Sequence, residues 1–497
     1  MKRKIVKPIL CTIAALIGFA CLFSARWYIS VCGDLGFDSI IYTLMAGLGG
    51  VESNLIYDYL LKALLPIILC TAVVAVLLFV NIPIKARVGG LKGARMVVLP
   101  KWAIQLCVVV LSLAMLVNAA FTVDLIDYAS QAFQKTTIYE TEYVDPKLAN
   151  IEFPEQKRNV IIIYLESMET TYLSREQGGG NDFNAIPELF RMANENINFS
   201  HNDTVGGFNA ITGGTWTTGA LVSITAGIPM RVPIALNSNG YSTDETFLPG
   251  VTNLGDILKA QGYYQTLMVG SDAEFGGRKP YFEQHGADKI YDIFTARQDG
   301  IVPEDYHVWW GMEDYYLFEY AKKELLEISK KDQPFAFSML TVDTHHIGGY
   351  MCENCKNEHP EHYENVLSCS SRQVTAFVEW IKEQDFYENT TIVVTGDHPT
   401  MDGAYVARNA PKGYERHVYN CFINSAATTE NTKNRDFTTT DMLPTILASM
   451  GCKIEGDRLG LGTNLFSEVP TLCEKLGTQK LKRELQKTSD YYNEKFY

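Results

Sequence analysis

The chain is short of positive charge: 43 Lys and Arg stand against 57 Asp and Glu in 497 residues, a formal net charge of −14. A general nucleic-acid binder needs a basic face, so that class is excluded and no nucleic acid is expected as a partner. Charged residues make up only 20% and hydrophobic ones 47%, which excludes intrinsic disorder for most of the chain. No internal repeat or low-complexity tract interrupts it. Charge is also missing locally. Pro8 to Ala25, Ala63 to Ile84 and Trp102 to Val123 hold no charged residue at all. Each run is near the roughly 20 residues that a helix needs to cross a hydrocarbon core of about 30 Å. A cleaved signal peptide would account for the first run only.

What charge there is divides unevenly. Residues 1–122 carry eleven Lys or Arg against four Asp or Glu, a net of +7, and the remainder carries −21. Lys2, Arg3, Lys4 and Lys7 precede the first run, and Lys85, Arg87, Lys92, Arg95 and Lys101 lie between the second and third. The intervening loop holds Asp34, Asp38, Glu52 and Asp58. The positive-inside rule then puts the N-terminus and the basic loop in the cytoplasm and everything after Val123 outside. Four segments are expected: a membrane module with three transmembrane helices over 1–125, a juxtamembrane linker over 126–157, an extracytoplasmic domain over 158–470, and a C-terminal tail over 471–497. The tail is rich in Lys, Glu and Tyr and reads as a surface helix or a frayed end.

The outer module reads as α/β. Short β-branched runs such as NVIIIYLE (Asn159–Glu166), YYQTLMVGSD (Tyr263–Asp272), PFAFSMLTVDTHH (Pro334–His346) and NTTIVVTGDHP (Asn389–Pro399) alternate with helical patterns. That order predicts a mostly parallel sheet sandwiched by helices. Each run ends in chemistry: Glu166, Asp272, His345 with His346, and Asp397 with His398. Ligands bind at the carboxyl ends of strands in such sheets. Buried carboxylates beside histidines are costly unless paired or bound to a cation, so a metal site is expected there.

The segment GGTWTTGALVSITAGIP (Gly213–Pro229) places three threonines between a glycine turn and an apolar helix. A hydroxyl at a helix N-terminus faces free N–H groups and the positive dipole end, a natural place for a tetrahedral anion. A nearby divalent cation would favour its alkoxide. Plain helix capping is the alternative. Six cysteines fall in the outer module: Cys352, Cys355, Cys369, Cys421, Cys452 and Cys473. Two readings stand for the first three. One is a disulfide of Cys352 or Cys355 with Cys369, and the other is a zinc site from Cys352, Cys355, His359 and His362. Trp309 and Trp310 read as core or as acceptor-site aromatics, and Arg416 with His417 as site-lining or plain loop residues.

Taken in order, LES after the first strand, the threonine segment, THH, and GDH after a later strand resemble the alkaline-phosphatase/sulfatase superfamily. Within it the chain is similar to membrane-anchored phosphoglycerol transferases of the lipoteichoic acid synthase and phosphoglycerol transferase I type. The resemblance covers about Asn159 to Ser467. It implies metal ligands at Glu166, Thr217, Asp397 and His398. It puts the nucleophile at Thr217, directly after a tryptophan, rather than Thr215 or Thr218. It implies a substrate-phosphate histidine at His345, with His346 second, and a glycerol-phosphate arginine at Arg278, with Phe275 as the nearest aromatic. The cofactor implied is one divalent metal, manganese with magnesium as a substitute. The partners implied are a phosphatidylglycerol donor and an envelope glycan or glycerol-phosphate acceptor at a bacterial cell membrane. A sulfatase would need a Cys/Ser-x-Pro/Ala-x-Arg motif, and the matching stretch begins Thr217-Thr218-Gly219-Ala220-Leu221. A phosphoethanolamine transferase, a phosphodiesterase or phosphatase, and a membrane-tethered pseudoenzyme that binds envelope polymers are the competing readings.

Overall fold

The computed structural model describes residues 2–33, 37, 40–41, 53–80, 85–88, 95–231, 247–308 and 310–497. Asp34, Asp38, Glu52, Ile84, Lys92 and Trp309 lie outside the described residues. The chain divides into two compact units, one made of residues 1–37 and 51–129 and the other of 38–50 and 130–497.

The first unit holds α1 (Lys2–Cys32), α2 (Leu55–Phe79) and α3 (Lys101–Thr122). All three are long and apolar enough to cross a membrane, with mean hydropathies of 2.2, 2.6 and 2.3. Large apolar side chains such as Leu10, Leu69 and Leu111 point outward, whereas small ones such as Ala15, Ser112 and Ala119 are buried between helices. That is the inverse of a soluble bundle and suits a lipid surround, where small residues let helices approach closely. Asp58 is held at the start of α2 by Lys62 at 2.6 Å and by the Trp27 indole N–H at 2.9 Å. A two-stranded antiparallel hairpin, β1 (Lys85–Val88) and β2 (Arg95–Val98), precedes α3.

The second unit is built on a seven-stranded sheet. Its strands are β3 (Asn159–Leu165), β4 (Gly207–Phe208), β5 (Tyr264–Val269), β6 (Lys289–Tyr291), β7 (Phe335–Leu340), β8 (Thr390–Gly396) and β9 (Val418–Ile423), in the order β4-β9-β8-β3-β7-β5-β6. The pairs from β8 through β6 are parallel, and β9 joins β8 and β4 antiparallel. The expected α/β class and its mostly parallel sheet are the observed fold. Every residue of β3 is buried. Ile161, Ile163 and Leu165 enter one apolar cluster, while Val160, Ile162 and Tyr164 enter the other. A strand covered on both faces therefore shows a continuous apolar run with no alternation.

Helices α4 (Pro187–Glu195), α7 (Asp314–Ile328) and α8 (His362–Lys382) cover the first face. Helices α5 (Thr217–Ala226), α6 (Leu254–Ala260) and α9 (Met442–Ser449) cover the other. On α8 the buried Tyr363, Val366, Leu367, Val374, Phe377, Val378 and Ile381 recur at the three- and four-residue spacing of one helix face. In α5, residues 218–226 are all buried, so this helix is apolar all round. The C-terminal stretch is not frayed. Leu481, Leu485, Tyr492 and Phe496 are buried in a third cluster with Trp216 and Val222, and the Tyr492 hydroxyl donates to Pro229 O at 2.9 Å. Its periodic Leu and aromatic positions find an apolar surface there that the local sequence does not reveal.

Candidate active site

Three parallel strands run side by side in the order β8-β3-β7, and their carboxyl ends deliver most of the site. Glu166 follows β3. The next residue, Ser167, takes a left-handed backbone with φ 54, a strained turn of the kind found at functional sites. Its N–H donates to Asp397 Oδ1 at 2.9 Å, and its hydroxyl donates to Glu166 Oε1 at 2.7 Å. The Glu166 N–H donates to Thr341 Oγ1 at 3.0 Å, and Thr344 Oγ1 donates to the Glu166 carbonyl at 2.6 Å. The three strand ends are thus laced together by short polar bonds, none of which leaves Glu166 free to swing.

Asp397 and His398 follow β8 and are completely buried. His398 Nε2 lies 3.5 Å from Glu166 Oε1 and 3.4 Å from Asp397 Oδ2. Its Nδ1 donates to Pro399 O at 2.9 Å, which leaves Nε2 facing the two carboxylates. Burial and the charge of Glu166 push the Asp397 carboxyl up to about 7. Burial opposes a charge on His398, but Asp397 and Glu166 outweigh it and raise its pKa above the ordinary value.

Thr217 opens α5, and Trp216 stands at the N-cap without a side-chain capping bond. The Thr217 hydroxyl instead turns into the cluster, donating to Glu166 Oε2 at 3.3 Å and lying 3.3 Å from His398 Nε2. Plain capping by Thr217 is therefore not what the structure contains. Gly213 and Gly219 make this approach feasible. Gly213 sits at φ +79, and a Cβ on Gly219 would fall 2.3 Å from Gly213 O and 2.8 Å from the Trp216 ring.

Glu166, Asp397 and His398 bring ligand atoms within 4.8 Å of one another, a group that could hold a metal ion. The fit can be tested on one atom. Asp397 Oδ2 is buried and accepts no hydrogen bond, although Oδ1 takes two backbone N–H donors. A fully buried carboxylate oxygen without a hydrogen-bond donor needs a cation or a proton. Carboxylate and hydroxyl oxygens with one imidazole suit a hard divalent ion.

His345 and His346 follow β7. The His345 ring stacks on Trp310 with centroids 4.5 Å apart and planes at 14°, and Phe275 meets Trp310 edge-on at 5.0 Å. Desolvation, then the charges of His398 and Arg278, hold His345 down at about 3, so it is neutral. Its Nδ1 donates to His346 O at 2.9 Å. His346 lies well below its ordinary pKa for the same leading reason, burial. Arg278 is buried, with its guanidinium tied to Phe275 O, Ser271 Oγ and Asp272 O. Asp272, expected among the acidic strand ends, does not join the cluster. Its carboxylate accepts from Glu274 N and its carbonyl anchors Arg278.

His417 does not join either. It stacks on His201 with centroids 3.4 Å apart and planes at 8°, and burial with the neighbouring His201 holds it down at about 3. Arg416 pairs with Glu169 through two contacts, 2.8 and 2.6 Å, and holds Thr400 O at 2.6 Å. It braces the loop after β3 against the loop after β8. Sequence reasoning missed this brace, as it missed Trp310 as the platform under His345. Only the fold brings residue 310 beside residue 345. The Cys-Cys-His-His zinc set is not assembled. His359 stacks on Phe183 at 4.6 Å and meets Ser368 Oγ, while His362 Nε2 meets Gly349 O.

Known proteins resemble the chain in sequence and in fold. Over 255 residues the chain is 31% identical to phosphoglycerol transferase I of Escherichia coli, a match that takes in 50% of this chain and 32% of that protein. The match therefore spans about a third of the relative's length. Among solved structures, the integral membrane lipooligosaccharide phosphoethanolamine transferase A (EptA) from Neisseria meningitidis aligns with a TM-score of 0.50. The identity is 14%, and the alignment covers 90% of this chain and 84% of that one, a likeness of fold. Residues 158–452, from the start of β3 past Asp397 and His398, match the family model described as Sulfatase, and the chain belongs to that family.

Proposed function

We propose that the chain transfers phosphoglycerol from phosphatidylglycerol to a cell-envelope glycan or glycerol-phosphate polymer through an intermediate on Thr217. One observation carries the reading: the Thr217 hydroxyl opens α5 and sits 3.3 Å from both Glu166 and His398. The similarity to phosphoglycerol transferase I supports the choice of transferred group. The positive residues flanking α1 and α3 support an N-terminus in the cytoplasm and a catalytic unit outside, where outer-leaflet lipid is within reach.

In this reading Glu166, Asp397, His398 and Thr217 hold one divalent cation, manganese with magnesium as a substitute. When bound, that cation lowers the hydroxyl pKa and neutralises charge on the phosphate. Thr217 Oγ1 attacks phosphorus, and the bond to the diacylglycerol oxygen breaks. The diacylglycerol leaves with a proton. An acceptor hydroxyl then attacks the same phosphorus, the Thr217–phosphorus bond breaks, and Thr217 recovers its proton. Neutral His345, with Nδ1 committed to His346 O, offers Nε2 to the acceptor's hydroxyl proton. Arg278 supplies positive charge beside His345, as its effect on that ring indicates. The Phe275–Trp310–His345 stack gives the glycerol an aromatic wall.

The test is release of labelled head group from fluorescent phosphatidylglycerol by the full chain, with and without a glycan acceptor. Thr217→Ala should abolish release while Thr217→Ser retains part of it. Full activity in Thr217→Ala overturns the nucleophile. Equal yields of free glycerol phosphate with and without acceptor overturn transfer in favour of hydrolysis.

A further inference from the structure

Three cysteines outside the Thr217 site come together from two segments. Cys352 Sγ lies 3.5 Å from Cys355 Sγ and 3.8 Å from Cys369 Sγ, and all three sulfurs lie within 4.8 Å of one another. None of the three is in a disulfide. Cys352 and Cys355 belong to the loop that continues from His345, and Cys369 sits in the middle of α8. Cys352 and Cys369 are buried and Cys355 is half-buried.

A disulfide needs its sulfurs at about 2.0 Å. Sulfurs around a tetrahedral metal with bonds of about 2.3 Å stand roughly 3.8 Å apart. The observed spacings match the second geometry, and a third sulfur is more than a disulfide can use. The surroundings point the same way. The Cys355 N–H donates to Cys352 O at 3.0 Å, closing a tight Cys-x-x-Cys turn that sends both sulfurs to one side. One turn of helix beyond Cys369, the Gln373 amide N–H donates to Cys369 Sγ at 3.3 Å and to Cys352 Sγ at 3.8 Å. Sulfurs that collect N–H donors are placed to carry thiolate charge.

We infer that Cys352, Cys355 and Cys369 form a second metal site, for a soft thiophilic ion of the zinc class, separate from the Glu166–Asp397–His398 cluster. Among the described residues no fourth His, Cys, Asp or Glu joins the three sulfurs, so the fourth position belongs to water or another small ligand. The ion ties the loop that carries His345 to α8.

The experiment is metal analysis of the full chain, purified in detergent without added metal, in an Asp397→Asn background that weakens the carboxylate site. About one zinc per chain should remain. It should be lost in Asp397→Asn with Cys369→Ser or with Cys355→Ser, and kept with Cys421→Ser, a buried cysteine elsewhere. Replacing zinc by cobalt should give a thiolate-to-metal charge-transfer band in the chain with all three cysteines and none in the two serine variants. The band in the chain with all three cysteines identifies thiolate ligands directly, whether or not a serine variant folds. Peptide mapping that finds two of the three cysteines joined as a disulfide, or a metal content unchanged by Cys369→Ser and Cys355→Ser, overturns the inference.

Discussion

Removing Arg416 should cost more than removing the residue it pairs with. The Glu169 side chain is 0% exposed, whereas that of Arg416 is 19% exposed. In Arg416→Ala the Glu169 carboxylate keeps only a 3.4 Å contact from Thr400 N–H. A buried charge stripped of its partner costs about 3–5 kcal/mol. In Glu169→Ala the guanidinium retains Thr400 O and its opening to solvent, so the loss should be nearer the 1–3 kcal/mol of one unsatisfied polar group. Removing both should cost less than the sum of the singles, because neither charge is then stranded, and the coupling should exceed about 1 kcal/mol. Urea denaturation of the full chain in detergent, followed by tryptophan fluorescence, measures all four stabilities. Metal affinity measured alongside should fall in Arg416→Ala, since Thr400 lies two residues beyond His398. Equal costs for the two single variants, or strict additivity, would refute the reasoning.

Four other perturbations have defined outcomes. Asp397→Asn should weaken binding of added divalent metal by roughly 100-fold or more, on the scale of breaking a buried charge pair, and calorimetric titration checks it. Trp310→Ala removes the stack under His345, worth about 0.5–1.5 kcal/mol; it should raise KM several-fold with a smaller change in kcat, as steady-state kinetics will show. Gly219→Ala forces a methyl against Gly213 O and the Trp216 ring; it should destabilise by about 1–3 kcal/mol and displace Thr217, so both melting temperature and activity should drop. Asp441, buried and accepting from Thr438 and Thr463 N–H, is pushed up to about 7 by that burial. Its folded-state pKa is above its unfolded one, so it adds stability at acid pH that is lost as pH rises toward 7. Stability relative to Asp441→Asn should therefore decline between pH 4 and 7, and a flat difference would rule this out.

Particular residues show how much could be read without coordinates. NVIIIYLE was legible as a buried strand because a strand covered on both faces has no polar side. Glu166, Asp397 and His398 were legible as site candidates because a charge that ends such a strand must go somewhere useful. Asp272 satisfied the same rule and yet serves through its carbonyl, since its carboxylate caps the turn at Glu274. The rule identifies a sheet edge, and the neighbouring turn decides whether a side chain reaches its centre. His359 and His362 lie close in sequence to Cys352 and Cys355, but the loop before α8 turns His359 toward Phe183, while α8 turns Cys369 toward the sulfurs.

The amino-acid order by itself determined the three membrane-length helices, the alternation that yields a mostly parallel sheet, and the residue types gathered at its carboxyl edge. These depend on local quantities: hydropathy over about 20 residues, periodicity, and the residue types that end each apolar run. Only the tertiary structure decided which of those residues meet. Thr217 reaches Glu166 and His398 across 51 and 181 positions, Trp310 lies under His345, Arg416 braces Glu169 across 247, and Cys369 completes a trio with two cysteines from another loop. Those pairings depend on strand order and helix packing, which are set by the burial of the whole core and leave no short-range trace in the sequence.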